Sequence, residues 1–291
     1  TRYSAFFRIC HKNKCSVKDI YERWWLVKYL FHRYLMKSYT IHLIRHGIAE
    51  GNLLGQYIGR TDSPLADEGR KALQALKETY AYPSAQVFYC SPMSRCVETL
   101  RILYPEAEPV LIDGFRECDF GDWEGKTAKQ LAEEDPRFLQ WMESSRSVAP
   151  PHGESTGVLV QRTCAAFEKL VEELMRSGTT SAVVVAHGGT NIHEALATAL
   201  ATLISILSAY GLPRASFYDW MTENGCGYSM RITPGLWMRS MVAEVYDTIP
   251  AGRNAEGGDE KFIVDLAREA ANRAFRKNTP ELDGKNAPTE G

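Results

Sequence analysis

Leu43-Ile44-Arg45-His46-Gly47 follows Tyr39-Thr40-Ile41, so a short apolar run ends abruptly in a cation, an imidazole and a glycine. A run of that length stopped by a breaker reads as a buried strand. In an open α/β sheet, ligands sit beyond the carboxyl ends of the strands, where Arg45 and His46 fall. Arginine presents a planar fork that matches phosphate oxygens, and neutral imidazole is a nucleophile at physiological pH. Two polar residues can also end a strand without any function, so the rest of the chain has to decide.

Downstream, strand and helix patterns alternate. The loop after the first strand carries Asn52, Gly55, Gly59 and Asp62-Ser63-Pro64, which is turn chemistry. Leu65 to Tyr80 has helical spacing. Val87-Phe88-Tyr89-Cys90 is a second strand, followed by Ser91-Pro92, Arg95 and a helix carrying Val97, Leu100 and Leu103. Val110-Leu111-Ile112 is a third, leading into an acidic loop with Arg116-Glu117 and Phe120-Gly121-Asp122-Trp123-Glu124-Gly125. Helical patterns return around Ala128 to Glu134, Pro136 to Glu143 and, after Pro150 to Ser155, Val158 to Met175. The fourth strand, Ala182 to Ala186, ends in His187-Gly188-Gly189, and a helix is expected from Thr190 to Leu207. Asn224 to Ile232 reads as a turn and edge strands closing the sheet, with one more strand within Trp237 to Val245.

This alternation predicts a three-layer α/β/α domain with a mostly parallel central sheet. Parallel strands share one carboxyl edge. Arg45 with His46, Arg95, and His187 can therefore converge although far apart in sequence, and three such endings beside a Glu117 loop are hard to obtain by chance. Each keeps a plainer alternative: Arg95 could bridge to Glu98 along its helix, and His187 could be a satisfied core histidine. Asp113, Asp119, Asp122 and Glu124 compete with Glu117.

The catalytic unit is expected over residues 39–250 of the 291, with a basic aromatic extension before it (1–38) and a helix and disordered tail after it (251–291). In the extension, Ile20, Trp24, Val27, Phe31 and Leu35 form a helical stripe among many basic residues. It is expected to pack on its own domain or to be foreign to it, since Met36-Lys37-Ser38 resembles a natural start; contact with an anionic membrane surface is the alternative. In the tail, Asp259 would cap a helix running to about Phe275. Lys and Arg number 34 against 36 Asp and Glu, a net charge of −2, which offers nucleic acid no general attraction. Seven scattered cysteines without a C-x-x-C pair point to reduced thiols in a cytoplasm. Cys10-His11 with Cys15 lacks a second ligand pair, so no metal is expected there.

Taken in order, Leu43 to Gly47 with Asn52, Gly59 to Leu65, Ser91 to Arg95 with Glu98-Thr99, Glu117 before Phe120 to Gly125, and Ala186 to Thr190 resemble the histidine phosphatase superfamily, whose fold is phosphoglycerate mutase-like. Each motif is modest alone; the ordered set is specific and covers roughly residues 39 to 247. Within the superfamily, Pro151-x-Gly153-Glu154-Ser155 and Tyr57 to Asp62 look most like the α-ribazole phosphatases, which remove a 5′-phosphate in cobalamin biosynthesis. The chain departs from the family pattern at Ala49, Ala66 and Ala72, where Thr or Ser, a capping Thr, and Gln are common.

The resemblance implies a phosphomonoesterase. His46 would attack phosphorus and carry the phosphoryl group. Arg45, Arg95 and a protonated His187 would neutralise its charge, with Asn52, Arg60 and the Gly188 amide as further contacts, and Glu117 would exchange the proton. No metal or other cofactor is required. A broad-specificity phosphatase, a phosphoglycerate mutase-type phosphotransferase, or a silent module that binds a phosphorylated ligand are the alternatives. Trp123 is expected to anchor its loop, and Phe217, Tyr218 and Trp220 to stack on a base or lie in the core.

Overall fold

The computed structural model describes residues 37–144, 147–187 and 222–250. Strand β1 (Tyr39–Arg45) lies inside the sheet because neither face is left polar: Tyr39, Ile41, Leu43 and Ile44 are fully buried. It pairs in parallel with β4 (Ser181–Ala186) on one side and antiparallel with β5 (Gly227–Ile232) on the other. Beyond β4 come β2 (Val87–Cys90) and β3 (Val110–Leu111), and beyond β5 comes β6 (Glu244–Ile249), in the order β3-β2-β4-β1-β5-β6. β6 is antiparallel to β5 and so runs with the rest; β5 alone is reversed. The sheet is mostly parallel, as expected. Gly227 is demanded by this packing, since a Cβ there would lie 1.8 Å from the Leu43 carbonyl oxygen.

Helices clothe both faces. After a single turn, α1 (Glu50–Leu53), come α2 (Asp67–Thr79) and α3 (Ser94–Leu103), whose Leu73, Cys96, Leu100 and Leu103 pack on Ile44, Val183 and Val185. Two short helices, α4 (Ala128–Glu134) and α5 (Arg137–Ser144), stand off the sheet around Phe120, Trp123, Phe138 and Trp141. On the opposite face, α6 (Thr156–Ser177) sets Phe167, Leu170, Val171 and Leu174 against Ile41, Leu43 and Val184. Replacing a buried phenylalanine such as Phe167 by alanine typically costs about 3–5 kcal/mol. α6 begins where Ser155 Oγ accepts the Val158 amide and stops at Gly178 in the left-handed region (φ 75°).

Local signals explain most boundaries. Thr127 and Gln130 close a capping box on α4. Ala66 occupies the N-cap of α2 with extended backbone and no side-chain bond, as the sequence foretold. One expectation fails. Trp237 to Ser240 belongs to a helix, α7 (Pro234–Ser240), and the last strand starts only at Glu244. Pro234 at the first helical position preorganises that turn, and Met241 ends it in the left-handed region (φ 52°). The extension 1–36, the helix expected from Thr190 to Leu207 and the tail from 251 lie outside the described residues. No described helix is long and apolar enough to cross a membrane.

Candidate active site

The sheet order puts β2, β4 and β1 side by side, all parallel. Arg45 is level with Ala186, and Cys90 with Val185, so His46, His187 and Ser91 emerge together from one edge. The His46 and His187 rings meet edge to face with centroids 5.2 Å apart. Ser91 Oγ lies 2.8 Å from His187 Nε2.

His46 is buried, and its Nδ1 is 2.6 Å from the Gly47 carbonyl oxygen. A carbonyl only accepts, so Nδ1 carries the proton and Nε2 keeps its lone pair. Burial first, then Arg95 and Arg45, hold this imidazole well below its ordinary pKa, so it is neutral at physiological pH. Its backbone is fastened on both sides. Asn224 Nδ2 donates to the His46 carbonyl (2.8 Å), and the Gly47 amide donates to Thr99 Oγ1 (2.9 Å).

Arg45 is buried, and burial lowers its pKa to about 10, with Glu117 opposing; it remains a cation. Its Nη1 donates to the Thr222 carbonyl (2.5 Å), whereas its buried Nε–H has no partner among the described residues. A buried donor left unpaired is unfavourable unless something supplies an acceptor. Arg95 is 1% exposed, and its fork donates to the Thr61 (3.2 Å) and Gly59 (3.0 Å) carbonyls. The bridge to Glu98 does not form; Arg70 takes that carboxylate instead.

His187 is fully buried and touches Ser91 and Cys96 Sγ (3.5 Å). Burial, followed by Arg95 and His46, holds its pKa well below the ordinary value. The protonated form expected from the sequence is therefore disfavoured among these neighbours. A phosphate dianion would shift that balance back.

Glu117 is buried beside the cations, and burial raises its pKa, opposed by the Cys118 amide, Arg95, Arg162 and Arg45. The Cys118 amide donates to one of its oxygens (2.9 Å). Its competitors are engaged elsewhere. Asp113 pairs with Arg116, Asp119 accepts the Gly121 amide, and Asp122 faces His152 at the surface. Glu124 accepts the amides of Gly59, Arg60, Thr61 and Phe120.

Two anchors escaped sequence reasoning. Arg162 of α6 donates to the carbonyls of Gly114, Arg116 and Glu117 and pairs with Glu154, which accepts the Asp119 amide. Together they fasten the loop bearing Glu117. Asn224 reaches His46 across 178 positions. A local pattern shows only a polar helix residue and a turn asparagine, although Glu154 lay in a motif that had been singled out.

The remaining expected contacts divide. Asn52 turns Oδ1 to the Ala49 amide (3.0 Å), closing the first turn of α1. Arg60 stands at the surface, its Nε 3.9 Å from Asp119 with 40% of its side chain exposed, apart from the buried cluster. Trp123 anchors its loop as expected, buried with Nε1 donating to Asp135 (3.0 Å). Gly188, Phe217, Tyr218 and Trp220 lie outside the described residues. Among the described residues, no cluster of three or more His, Cys, Asp or Glu side chains is arranged for a metal ion.

Comparison with known proteins adds the following. An adenosylcobalamin/α-ribazole phosphatase of Salmonella typhimurium is 25% identical over 197 residues, 66% of this chain and 90% of that protein. A 2,3-bisphosphoglycerate-dependent phosphoglycerate mutase of Gloeobacter violaceus is 35% identical over 159 residues, 51% of this chain and 70% of that protein. The α-ribazole phosphatase structure from Shigella flexneri superposes with a TM-score of 0.58 at 22% identity, covering 76% of this chain and all (100%) of that one. That likeness bears on the fold. Residues 41–235, spanning all the strands but β6, match the family model of the histidine phosphatase superfamily (branch 1), and the chain belongs to that family.

Proposed function

We propose that this chain hydrolyses a small phosphomonoester through a phosphohistidine on His46. One observation carries the reading: the Nδ1–H bond to Gly47 and two buried arginines leave His46 a neutral nucleophile with its Nε2 lone pair available. Arg45, Arg95 and His187 hold the nonbridging oxygens, and the Arg45 Nε–H, without a partner among the described residues, is a donor such an oxygen would satisfy. His46 Nε2 forms a bond to phosphorus as the ester P–O bond breaks, and protonated Glu117 gives its proton to the leaving oxygen. Glu117, now a carboxylate, takes a proton from water as that water attacks phosphorus. The P–N bond breaks, releasing phosphate and restoring His46. No step calls for a metal ion, since fixed cations meet the charge.

For the substrate we favour α-ribazole 5′-phosphate. Support comes from the Pro151 to Ser155 loop and from two relatives of that name at 25% and 28% identity. The phosphoglycerate mutase relative at 35% identity supports a second reading, in which phosphohistidine returns its phosphate to an acceptor. A panel of phosphomonoesters containing α-ribazole 5′-phosphate, phosphoserine and 3-phosphoglycerate, assayed in EDTA, separates these. Preferred release of phosphate from the ribazole ester supports the first. Isomerisation of phosphoglycerate with little phosphate release supports the second, and turnover only after a divalent ion is restored would refute both mechanisms.

A further inference from the structure

We propose that Glu124 is a positioning residue for Arg95, supplying that arginine's counter-charge through a peptide group instead of by direct contact. This rests on reading Arg95 as a phosphate-binding group. The Glu124 carboxylate accepts the amides of Gly59 (3.0 Å), Arg60 (2.9 Å) and Thr61 (3.1 Å). The Gly59 and Thr61 carbonyls in turn accept from the Arg95 fork. The Arg60 N–H and the Gly59 C=O belong to one peptide plane. A continuous chain thus runs from carboxylate through that peptide to guanidinium, and each bond in it polarises the next.

Arg95 is 1% exposed, so its charge needs compensation. A carboxylate laid directly on the fork would occupy its donors and repel an incoming dianion. A relaying peptide holds the negative charge one group further away and leaves the rest of the five guanidinium donors for phosphoryl oxygens.

The same carboxylate also accepts the Phe120 amide (3.1 Å), three residues beyond Glu117. The two loops are pressed together at Gly59, where a Cβ would lie 1.6 Å from the Cys118 carbonyl oxygen. Asp62 adds a second tie by accepting the Ser94 amide (2.7 Å) in the first turn of α3. Glu124 therefore sets the position of the arginine relative to the loop that carries the proton donor.

The test is a double-mutant cycle on the full chain with Glu124→Gln, Arg95→Gln and the double variant. It reads vanadate inhibition and single-turnover phosphorylation by p-nitrophenyl phosphate, whose leaving group makes little demand on Glu117. Glu124→Gln should weaken both by about 10- to 100-fold, the scale of a small misplacement of a binding group. In the Arg95→Gln background the same change should add almost nothing, because contributions made through one group are not additive. Losses that multiply, or unchanged vanadate affinity in folded Glu124→Gln, would overturn the proposal. If Glu124→Gln does not fold, Glu124→Asp, which keeps the charge but is one methylene short of spanning all four amides, takes its place. Its loss should be smaller and should again vanish in the Arg95→Gln background; multiplication there overturns the proposal too. A wild-type chain that binds no vanadate would sink the phosphatase reading itself, and this inference with it.

Discussion

Glu117→Gln isolates the proton that the leaving group needs. Glutamine keeps the size of the side chain and an oxygen for the Cys118 amide, but carries no transferable proton. A well-placed general acid contributes roughly 10²–10⁴-fold, or about 3–5 kcal/mol of barrier. That full loss is expected for an alkyl ester such as a ribose 5′-phosphate, whose alkoxide is a strong base. It should be far smaller for p-nitrophenyl phosphate, whose phenolate leaves unaided. Rapid-quench measurement of phosphohistidine formation is required, because water attack also slows and would distort the steady state. The pH profile provides a second handle. In the proposed mechanism, phosphorylation needs His46 neutral and Glu117 protonated. Burial with Arg95 and Arg45 lowers the first pKa, and burial raises the second. The rate should thus climb as pH rises through the lowered His46 pKa and fall as it passes the raised Glu117 pKa. In Glu117→Gln the falling limb should disappear. Equal losses on alkyl and aryl esters would make Glu117 a phosphate-orienting group and refute the acid assignment. No loss on either would move the acid to another carboxylate.

His46→Ala should abolish the acid-labile, base-stable label left by a brief exposure to radiolabelled substrate; label that persists removes His46 from the role. Ala66→Ser would give the bare N-cap of α2 an oxygen for the Gly69 amide and should raise unfolding stability by roughly 0.5–2 kcal/mol in denaturant titration. A decrease would mean that the buried position, 3% exposed, has no room for a hydroxyl. A truncated chain spanning residues 36–250 should fold and retain turnover, because every motif lies inside it. Folded but inactive protein would show that one of the extensions completes the site.

Much of the site could be read locally. An apolar run cut off by Arg45-His46-Gly47 is a strand end whatever surrounds it, since backbone preference and burial act over a few residues. The same holds for the capping Thr missing at Ala66, which leaves α2 without a side-chain cap. Convergence of Arg45, Arg95 and His187 followed from parallel strands sharing one carboxyl edge, and the order β2-β4-β1 provides it.

Other features depend on which distant backbone arrives beside a side chain, which one stretch of sequence cannot reveal. Glu124 looked like one more acid among several until the Gly59 to Thr61 amides closed around it. Glu117 differs from those neighbours because it is buried among cations while they have partners of their own. Arg162 and Asn224 acquire their roles from loops 45 and 178 positions away. His187 depends on its surroundings in the same way. Its proton affinity is set by burial, Arg95 and His46, which only the assembled edge of the sheet brings together.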